Sequence, residues 1–362
     1  MRTLSVASAA ENSHSSIWVG QGLVSRAAEL LDLAQYSSVV VVSDRGARAA
    51  TQQVADSLNL SADRILELPG GEVCKSVETL GRVWEFLIDS RLDRRSLVIA
   101  IGGGAITDLV GFAAATYMRG VSYVAIPTTL LAQVDASIGG KTGINLGGIK
   151  NVVGVIRQPI GVIIDTDTLG TLPERELRSG FAEIVKHGLI ADRDYFDRVV
   201  SRPFTHWSGD ELVEIVFRSC QIKRATVQAD ERESGERKSL NFGHTLGHAI
   251  EAIALKREMA ITHGEAVAIG MHAATFLSCA MGTCPAADLE RVVKGLITVG
   301  LPIRLSTSQN QGDLLQLIAV DKKNVGGESR WTLLTGLGAC VWDRPVSEEL
   351  VRQAIALIQP CS

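Results

Sequence analysis

The chain has 362 residues, of which 46% are hydrophobic, so it is long enough for two domains with substantial cores. Its 36 basic and 40 acidic residues leave a net charge of −4, which argues against nucleic acid as a partner. No apolar run reaches the roughly 18 residues of a membrane-spanning helix, and the first residues show no signal-peptide pattern. The six cysteines have no framework spacing, so we expect reduced thiols in a cytoplasmic protein without a membrane partner.

Strand and helix signals alternate in the first half of the chain. Short apolar runs typical of buried parallel strands cover residues 39–42, 96–101, 121–126 and 161–164. Amphipathic spacing predicts helices over residues 22–33, 77–90 and 108–118. This alternation predicts a parallel sheet covered by helices, with ligands at the carboxyl ends of the strands.

A glycine turn, Gly102-Gly103-Gly104, follows the second of these strands. Glycines let a pyrophosphate approach the backbone, and the helix that follows offers unpaired N–H groups to it. The turn matches neither the Gly-x-Gly-x-x-Gly pattern nor a Walker loop, and a purely structural turn explains it equally well. Asp44, after the first strand, is suited to accept hydrogen bonds from ribose hydroxyls.

Several charged and amide side chains follow on glycine-rich segments. Lys141 lies within Gly-Gly-Lys-Thr-Gly, and Lys150 and Asn151 end the segment Gly-Gly-Ile-Lys-Asn. A lysine considered alone is most often a solvated surface residue. Lysines set among glycines and apolar residues are better suited to holding a phosphate group.

The sequence pattern changes near Leu172. From there the spacing of apolar residues is mainly helical, as over residues 177–190 and 210–227. We therefore predict two domains, residues 1–172 and 173–362. Glu183 and Lys186 lie three residues apart, on one helical face among apolar neighbours. A surface ion pair is the simplest explanation of that spacing, but the neighbours favour partial burial.

Histidines follow at a spacing suited to metal binding. His244 and His248 are four residues apart, so a helix would present both imidazoles on one face. A buried helix with one core and one surface histidine is the plainer alternative. Glu183, His244 and His263 form the metal set that we favour, because three protein ligands leave a position open for substrate.

Six segments together resemble the 3-dehydroquinate synthases of the shikimate pathway, which belong to the sugar phosphate cyclases. They cover nearly the whole chain in order, at residues 102–108, 111–120, 126–145, 165–189, 237–251 and 263–271. The resemblance implies an α/β fold, with an N-terminal Rossmann-like parallel-sheet domain that binds NAD and a mainly α-helical C-terminal domain that binds metal and substrate. It implies NAD+ and a divalent metal, Zn²⁺ or Co²⁺, as cofactors, and a cytoplasmic homodimer acting on a small anionic sugar phosphate.

The resemblance also assigns residues, position by position. The implied metal ligands are Glu183, His244 and His263. The implied substrate-binding and catalytic residues are Asp135, Lys141, Asn151, Lys186, Lys223, Arg237, Asn241, His248, one of Lys322 and Lys323, and Arg119, which would reach a neighbouring subunit. The implied NAD-binding residues are Asp44, Glu72, Lys75, Gly103, Gly104, Ala105, Asp108, Thr128, Thr129, Leu131, Lys150, Thr168, Thr171, Leu172 and Glu176.

The chain departs from the family pattern at three places, which are Gly46 in place of a frequent Asn, Thr107 in place of Gly, and the loop Leu146–Asn151 in place of His-Pro-x-Gly-Lys-Asn. None of them removes a charged catalytic group. The implied reaction converts 3-deoxy-arabino-heptulosonate 7-phosphate to 3-dehydroquinate and phosphate. One alternative is a secondary-metabolism paralogue, such as an aminodehydroquinate synthase; a second is an NAD- and metal-dependent polyol dehydrogenase of related fold.

Overall fold

The structure, a computed structural model, describes residues 1–8, 13–319 and 329–360. The chain packs into two compact units. The first contains Met1–Pro173 and Gly209–Arg224, and the second contains Glu174–Ser208 and Ala225–Ser362. The two units are therefore interleaved along the sequence.

The first unit is built on a sheet of seven strands within the described residues, in the order β1-β2-β9-β6-β5-β3-β4. Neighbouring strands are parallel except for the β1–β2 pair. A separate antiparallel hairpin joins β7 to β8. The strand bounds are β1 Arg2–Ser8, β2 Ser13–Gly20, β3 Val39–Asp44, β4 Ile65–Leu68, β5 Leu97–Gly102, β6 Ser122–Pro127, β7 Lys141–Leu146, β8 Ile149–Ile156 and β9 Gly161–Asp165.

Helices cover both faces of this sheet, and their bounds are α1 Ala27–Leu30, α2 Arg48–Leu58, α3 Val77–Asp89 and α4 Gly104–Thr116. Because side chains alternate along a strand, Val40 and Val42 pack with α3 and α4, whereas Val41 packs with α2 on the opposite face. The parallel sheet predicted from the apolar runs is present.

The prediction of a helix over residues 22–33 is wrong, because only the single turn α1 and short 3₁₀ turns form there. The carboxylate of Asp165, at the end of β9, accepts hydrogen bonds from the backbone N–H groups of Gly22 and Val24 at 3.1 and 2.9 Å. That distant contact holds the segment in an irregular turn. The helix predicted over residues 108–118 begins earlier, at Gly104, directly after the glycine turn.

The strand order changes direction between β3 and β5. These strands are neighbours, yet the chain continues from β3 outward to β4, and from β5 to β6 on the other side. Ligands of open α/β sheets bind at such a switch point, outside the carboxyl ends of the strands. Asp44 ends β3, and the glycine turn follows β5, so both lie at this point.

The second unit is mainly helical, with a core formed by α8, α9, α11, α12 and strand β10. One further helix, α7 Gly209–Ala229, has residues in both units. The antiparallel β10–β11 hairpin was not predicted. The bounds are α5 Glu174–Ala191, α6 Arg193–Val199, α8 His244–Lys256, α9 His263–Ala280, α10 Ala286–Thr298, α11 Gln311–Ala319, α12 Glu348–Leu357, β10 Arg330–Gly336 and β11 Ala339–Pro345.

Helix α9 lies unusually close to its neighbours in the second unit. A Cβ atom on Gly264 would lie 2.0 Å from the carbonyl oxygen of Ser179 on α5. A Cβ atom on Gly270 would lie 1.9 Å from the carbonyl oxygen of Gly243, directly before α8. Only glycine fits at both positions, and the close approach brings the N-terminal ends of α8 and α9 next to α5.

The predicted fold class, a parallel-sheet α/β part and a mainly helical part, is confirmed. None of the helices in the described ranges is both long and apolar enough to span a bilayer.

Candidate metal centre and active-site residues

Three helices of the second unit each supply one side chain to a candidate metal centre. Glu183 lies within α5, and His244 and His263 are the first residues of α8 and α9. The Nε2 atoms of His263 and His244 lie 3.4 and 3.7 Å from Oε1 of Glu183. One ligand atom from each residue lies within 4.8 Å of the other two.

The Glu183 carboxylate has no exposed surface, and it is surrounded by positive or polar groups. Lys186, one helical turn away and only 1% exposed, forms an ion pair with it. Burial raises the pKa of Glu183, but Lys186 and the two imidazoles outweigh burial and hold that pKa well below its usual range. The carboxylate is therefore ionised at neutral pH, as a metal ligand must be.

The two histidines respond differently to this environment. Burial lowers the pKa of His244, and the Lys186 ammonium lowers it further, so this ring is neutral. Burial also lowers the pKa of His263, but its contacts with the Glu183 and Glu251 carboxylates outweigh burial and raise that pKa to about 10. A divalent cation bound at this ring would take the place of its second proton.

The outward-facing nitrogen of each ring has a partner of its own. Nδ1 of His244 lies 3.1 Å from the carbonyl oxygen of Phe242, and Nδ1 of His263 lies 3.3 Å from Oε2 of Glu251. With Nδ1 occupied, Nε2 of each ring faces Glu183, an arrangement typical of metal-binding histidines. One carboxylate and two imidazoles suit a zinc-type metal with an open coordination position, so these residues fit the expected group.

His248 does not belong to this set of ligand atoms, although its ring centroid lies 5.2 Å from that of His244. Its side chain is exposed one turn further along α8. The second imidazole comes from α9 instead, because the Gly264 and Gly270 contacts bring His263 to Glu183. A role of His248 towards substrate stays a prediction.

In the first unit, Asp44 is held against the glycine turn at the switch point. Its carboxylate accepts hydrogen bonds from the N–H groups of Ala47 and Gly103, at 2.9 and 3.2 Å. A Cβ atom on Gly102, whose φ is +155°, would lie 2.4 Å from Oδ2 of Asp44. The contact requires glycine at position 102 and leaves Gly104 to begin α4.

A polar cluster joins α4 to the β7–β8 hairpin within the first unit. Nζ of Lys75 lies 2.6 Å from Oδ2 of Asp108 and also contacts Oδ1 of Asn151. Asn145 also belongs to the cluster. Its side-chain amide donates a hydrogen bond to Glu72 at 2.8 Å, and its side-chain oxygen accepts one from the backbone N–H of Asn151 at 2.8 Å. Burial raises the pKa of Asp108 to about 6, against the opposing effect of Lys75.

The turn after β6 carries further predicted NAD-binding positions. Thr128, Thr129 and Leu131 lead into a π-helical turn, Ala132–Ala136, a conformation often found at functional sites. The buried amide of Gln133 donates hydrogen bonds to the Asp165 carbonyl at 2.9 Å and to the Thr168 hydroxyl at 3.1 Å. Gln133 therefore ties this turn to the segment that follows β9.

Four predicted substrate residues lie in well-defined surroundings. Lys223, on α7, contacts the Asp135 carboxylate and donates to the carbonyl oxygen of Asp135 at 2.6 Å. In the second unit Arg237 is 2% exposed and donates from Nη1 to the carbonyl oxygen of Glu231 at 2.7 Å. Asn241 donates to Glu233 at 2.7 Å.

The remaining predicted residues are exposed, half-buried or outside the described part of the chain. Exposed positions are Arg119, Lys141, Lys150, Thr171 and Glu176, while Gly103, Ala105 and Leu172 are half-buried. Arg119 lies in a turn where Met118, Arg119 and Gly120 all have positive φ. Lys322 and Lys323 lie outside the described residues.

Comparison with known proteins decides the family. Residues 65–179 match the family described as 3-dehydroquinate synthase N-terminal, and residues 180–324 match 3-dehydroquinate synthase C-terminal. A 3-dehydroquinate synthase of Synechococcus sp. is 46% identical over 298 residues, 80% of each chain. The chain belongs to the 3-dehydroquinate synthase family. The resemblance predicted from the sequence motifs is confirmed, and members of this family are carbon–oxygen lyases.

Solved structures of related cyclases share the fold of this 3-dehydroquinate synthase family member. A 2-epi-5-epi-valiolone synthase from Streptomyces hygroscopicus subsp. jinggangensis 5008, solved with NAD+ and Zn²⁺ bound, is 28% identical with a TM-score of 0.85, covering 97% of this chain and 98% of its own. A 2-deoxy-scyllo-inosose synthase complexed with carbaglucose-6-phosphate, NAD+ and Co²⁺ has a TM-score of 0.87 at 24% identity, covering 98% and 99%.

Sequence reasoning did not find several residues that organise these sites. Gln133, Asn145 and Glu251 support predicted site residues, and the Phe242 carbonyl supports His244. Gln133 lies two residues from the predicted positions Leu131 and Asp135, and Asn145 lies four residues after Lys141. Glu251 falls seven residues after His244, two helical turns along the same face.

The metal centre predicts that replacing His263 and replacing His248, whose rings both lie near that of His244, will have unequal effects on metal binding. His263→Ala removes one of three protein ligands and is expected to weaken Zn²⁺ binding by more than the about 10- to 100-fold typical of outer-shell changes. Circular dichroism should remain that of the parent protein. Metal content after dialysis against a weak chelator, and competitive titration with a zinc indicator, would measure the effect.

His248→Ala is the matched control, because it removes the other imidazole near His244 but no member of the ligand set. This variant should retain its metal. Loss of metal from the His248 variant but not from the His263 variant would show that the metal uses the His244–His248 pair.

Proposed function

We propose that this protein converts 3-deoxy-arabino-heptulosonate 7-phosphate to 3-dehydroquinate and phosphate, with NAD+ and a divalent metal, Zn²⁺ or Co²⁺. The route comprises oxidation of a substrate hydroxyl, elimination of phosphate, reduction of the ketone, and intramolecular aldol cyclisation. Membership of the 3-dehydroquinate synthase family supports this assignment. NAD+ is regenerated in each turnover, so it acts as a catalyst.

The observation that carries the proposal is the burial of cationic side chains. Among lysines and arginines in the described ranges, only Lys75, Lys186, Lys223 and Arg237 are buried, each at most 5% exposed. All four are positions that the family resemblance assigns to binding or catalysis. The three lysines pair with carboxylates, and buried charges are rare in proteins even when they are paired. A chain with net charge −4 has no general need to bury four cations. They suit a small polyanion better than an uncharged polyol.

When bound, the metal would acidify the hydroxyl to be oxidised and NAD+ would accept its hydride. Glu183, His244 and His263 would hold the metal. Lys186 keeps the Glu183 carboxylate charged and would add positive charge near the substrate oxygens.

We assign the remaining predicted residues to substrate contacts. Arg237 would bind the substrate carboxylate, because its planar guanidinium can donate two parallel hydrogen bonds. His248 and Asn241 would orient the substrate or relay protons. Phosphate and hydroxyl contacts are assigned to Asp135, Lys141, Asn151, Lys223 and one of Lys322 and Lys323.

We assign NAD+ binding mainly to the sheet part of the chain, residues 1–172, and metal binding with the other substrate contacts to residues 173–362. The switch point supports the first assignment, since Asp44 and the glycine turn lie at the carboxyl ends of adjacent strands. Glycine at 103 and 104 would allow a pyrophosphate to approach the start of α4. The polar cluster of Glu72, Lys75 and Asp108 and the Thr128–Leu131 turn complete the proposed NAD+ site.

We further propose a cytoplasmic homodimer that pairs through the β7–β8 hairpin. Every residue of β8 is exposed, and β8 pairs only with β7 within the described residues. The strand presents apolar side chains on both faces, at Ile149, Val152, Val153, Val155 and Ile156. An exposed apolar edge of this kind invites pairing with another strand.

Pairing with a second copy of the chain would also explain how Arg119 could reach a neighbouring subunit. The turn that exposes Arg119 ends at Gly120, and a Cβ atom there would lie 3.8 Å from Nη2 of Arg157, the residue that follows β8. Pairing of two hairpins would therefore bring each Arg119 turn towards the other copy.

Turnover itself distinguishes a cyclase from a polyol dehydrogenase. Purified protein supplied with heptulosonate phosphate, NAD+ and Zn²⁺ is expected to release phosphate and yield a product of the mass of 3-dehydroquinate. Absorbance at the NADH wavelength should not accumulate, because the hydride returns to the substrate. NADH formed in step with substrate consumption would identify a dehydrogenase instead, and faster turnover of the amino analogue would identify the secondary-metabolism paralogue.

Arg237→Lys tests the carboxylate contact. Lysine keeps the charge but loses the planar fork, so we expect a loss on the order of 2–4 kcal/mol of transition-state binding, or roughly 30- to 1,000-fold in kcat/KM. Zn²⁺ and NAD+ affinities should stay near those of the parent. An analogue that lacks the carboxylate should be rejected strongly by the parent and only weakly by the variant.

Lys238→Ala is the control, since the neighbouring Lys238 pairs with Asp343 at 2.6 Å and is partly exposed. We expect about a threefold effect or less, as for an ordinary surface ion pair. Equal losses in the two variants would mean that Arg237 acts only by supporting the local turn.

The hairpin interface predicts a change of mass in solution. Val153→Glu combined with Val155→Glu places charges on the apolar edge and should convert the dimer to monomers in analytical ultracentrifugation. Ile88→Glu changes an apolar side chain on α3 that is 61% exposed, and it should leave the dimer intact. A dimer that persists in the double variant would place the interface elsewhere.

A further inference from the structure

The two candidate imidazole ligands are held by chemically different partners. The outer nitrogen of His244 meets a neutral backbone carbonyl, whereas that of His263 meets the Glu251 carboxylate. Glu251 lies on α8, and its side chain is 16% exposed, compared with 26% for His263. A glutamate on an exposed helix surface would turn its carboxylate towards solvent, but this one points to a ligand of the metal centre.

We propose that Glu251 is a positioning residue for the metal centre, which accepts a hydrogen bond from Nδ1–H of His263 and so keeps the Nε2 lone pair directed at the metal position beside Glu183. The inference rests on the metal-binding part of the proposed function and not on the choice of substrate. Neither the family resemblance nor the geometry of the three ligands alone assigns Glu251 this role.

The chemistry of imidazole explains why such a partner is needed. A neutral ring carries one proton, and in the wrong tautomer that proton would occupy Nε2 and prevent metal binding. A carboxylate beside Nδ1 stabilises the correct tautomer, fixes the orientation of the ring and makes Nε2 a stronger donor. The carbonyl oxygen of Phe242 fixes His244 in the same way but adds no negative charge.

The helix geometry gives this contact a second consequence. His244 and Glu251 are both on α8, two turns apart on one face. One helix therefore supplies a ligand directly and orients the ligand that α9 supplies. Any shift of α8 would disturb both imidazoles together.

Metal titration of the full-length, metal-free protein tests the proposal. Glu251→Met keeps the length of the side chain but removes the acceptor, and we expect it to weaken Zn²⁺ affinity by about 10- to 100-fold. Glu251→Gln retains a carbonyl oxygen that can accept the same hydrogen bond, so it should recover part of this loss. The visible absorption of the Co²⁺-loaded protein should shift in the methionine variant, because the coordinating ring is no longer held.

Glu265→Gln provides a matched control at the same end of α9. Glu265 is 12% exposed and pairs with Arg175, and its carboxylate also accepts the N–H of Thr262 in the capping box of α9. Its replacement should lower the melting temperature while changing Zn²⁺ affinity by no more than about threefold, since the cap acts on helix stability and not on the His263 ring.

Three results would overturn the proposal. They are an unchanged Zn²⁺ affinity in Glu251→Met, an affinity of Glu251→Gln as weak as that of the methionine variant, and an equal loss in Glu265→Gln. Glu251→Ala serves as a second variant without an acceptor if the methionine variant folds poorly. Because the readout is metal binding, failure of the proposed turnover would leave this result unaffected, and the two hypotheses can fail separately.

Discussion

A carboxylate with no exposed surface, Glu183, is the constraint on which the second unit depends. Removing an ion of this kind from water costs several kcal/mol unless charges and hydrogen-bond donors compensate it. Lys186 supplies the charge from the next turn of α5, and His244 and His263 supply imidazoles from two other helices. The helix ends of α8 and α9 must therefore meet α5 at one place, or the carboxylate would lose both imidazoles.

Close backbone packing fixes the position at which the ends of α8 and α9 meet α5. Gly264 and Gly270 let α9 approach α5 and the start of α8 to distances that exclude any side chain at these two positions. Thr262 and Glu265 cap α9 next to His263, so the ligand lies on an ordered helix end. Backbone contact, helix capping and charge compensation thus act on the same few residues.

Much of the fold could be predicted from periodicity, because local patterns decided it. Strands β3, β5, β6 and β9 and helices α3 and α5 follow the apolar spacing closely. Residues 22–33 failed the same test, because their conformation depends on Asp165, more than 140 residues away. The β7–β8 hairpin was not predicted because its glycines and lysines resemble a loop, and its exposed apolar strand lacks the alternation of a half-buried one.

The candidate site likewise contains residues that could be predicted from the sequence and residues that could not. The spacing of Glu183 and Lys186, together with the nearby histidines, pointed to a metal centre, and the family resemblance supplied the remaining residues. Glu251 could not be predicted, because an acidic residue on a helix reads as solvated surface until a neighbouring helix is known to lie against it. The contact of Lys75 with Asp108 and Asn151 likewise depends on which loops the sheet order brings together.

Each of the two units contains two separate stretches of the sequence, and this has a consequence for how the chain folds during synthesis. Residues Gly209–Arg224 belong to the first unit, where Glu214 pairs with Arg2 at 2.8 Å and Lys223 contacts Asp135. A nascent chain that ends at Pro173 lacks these contacts, and by the time Arg224 emerges from the ribosome, α5 and α6 of the second unit already exist. Domains of many proteins fold one after another as they emerge. Here the first unit cannot be completed before part of the second has been synthesised.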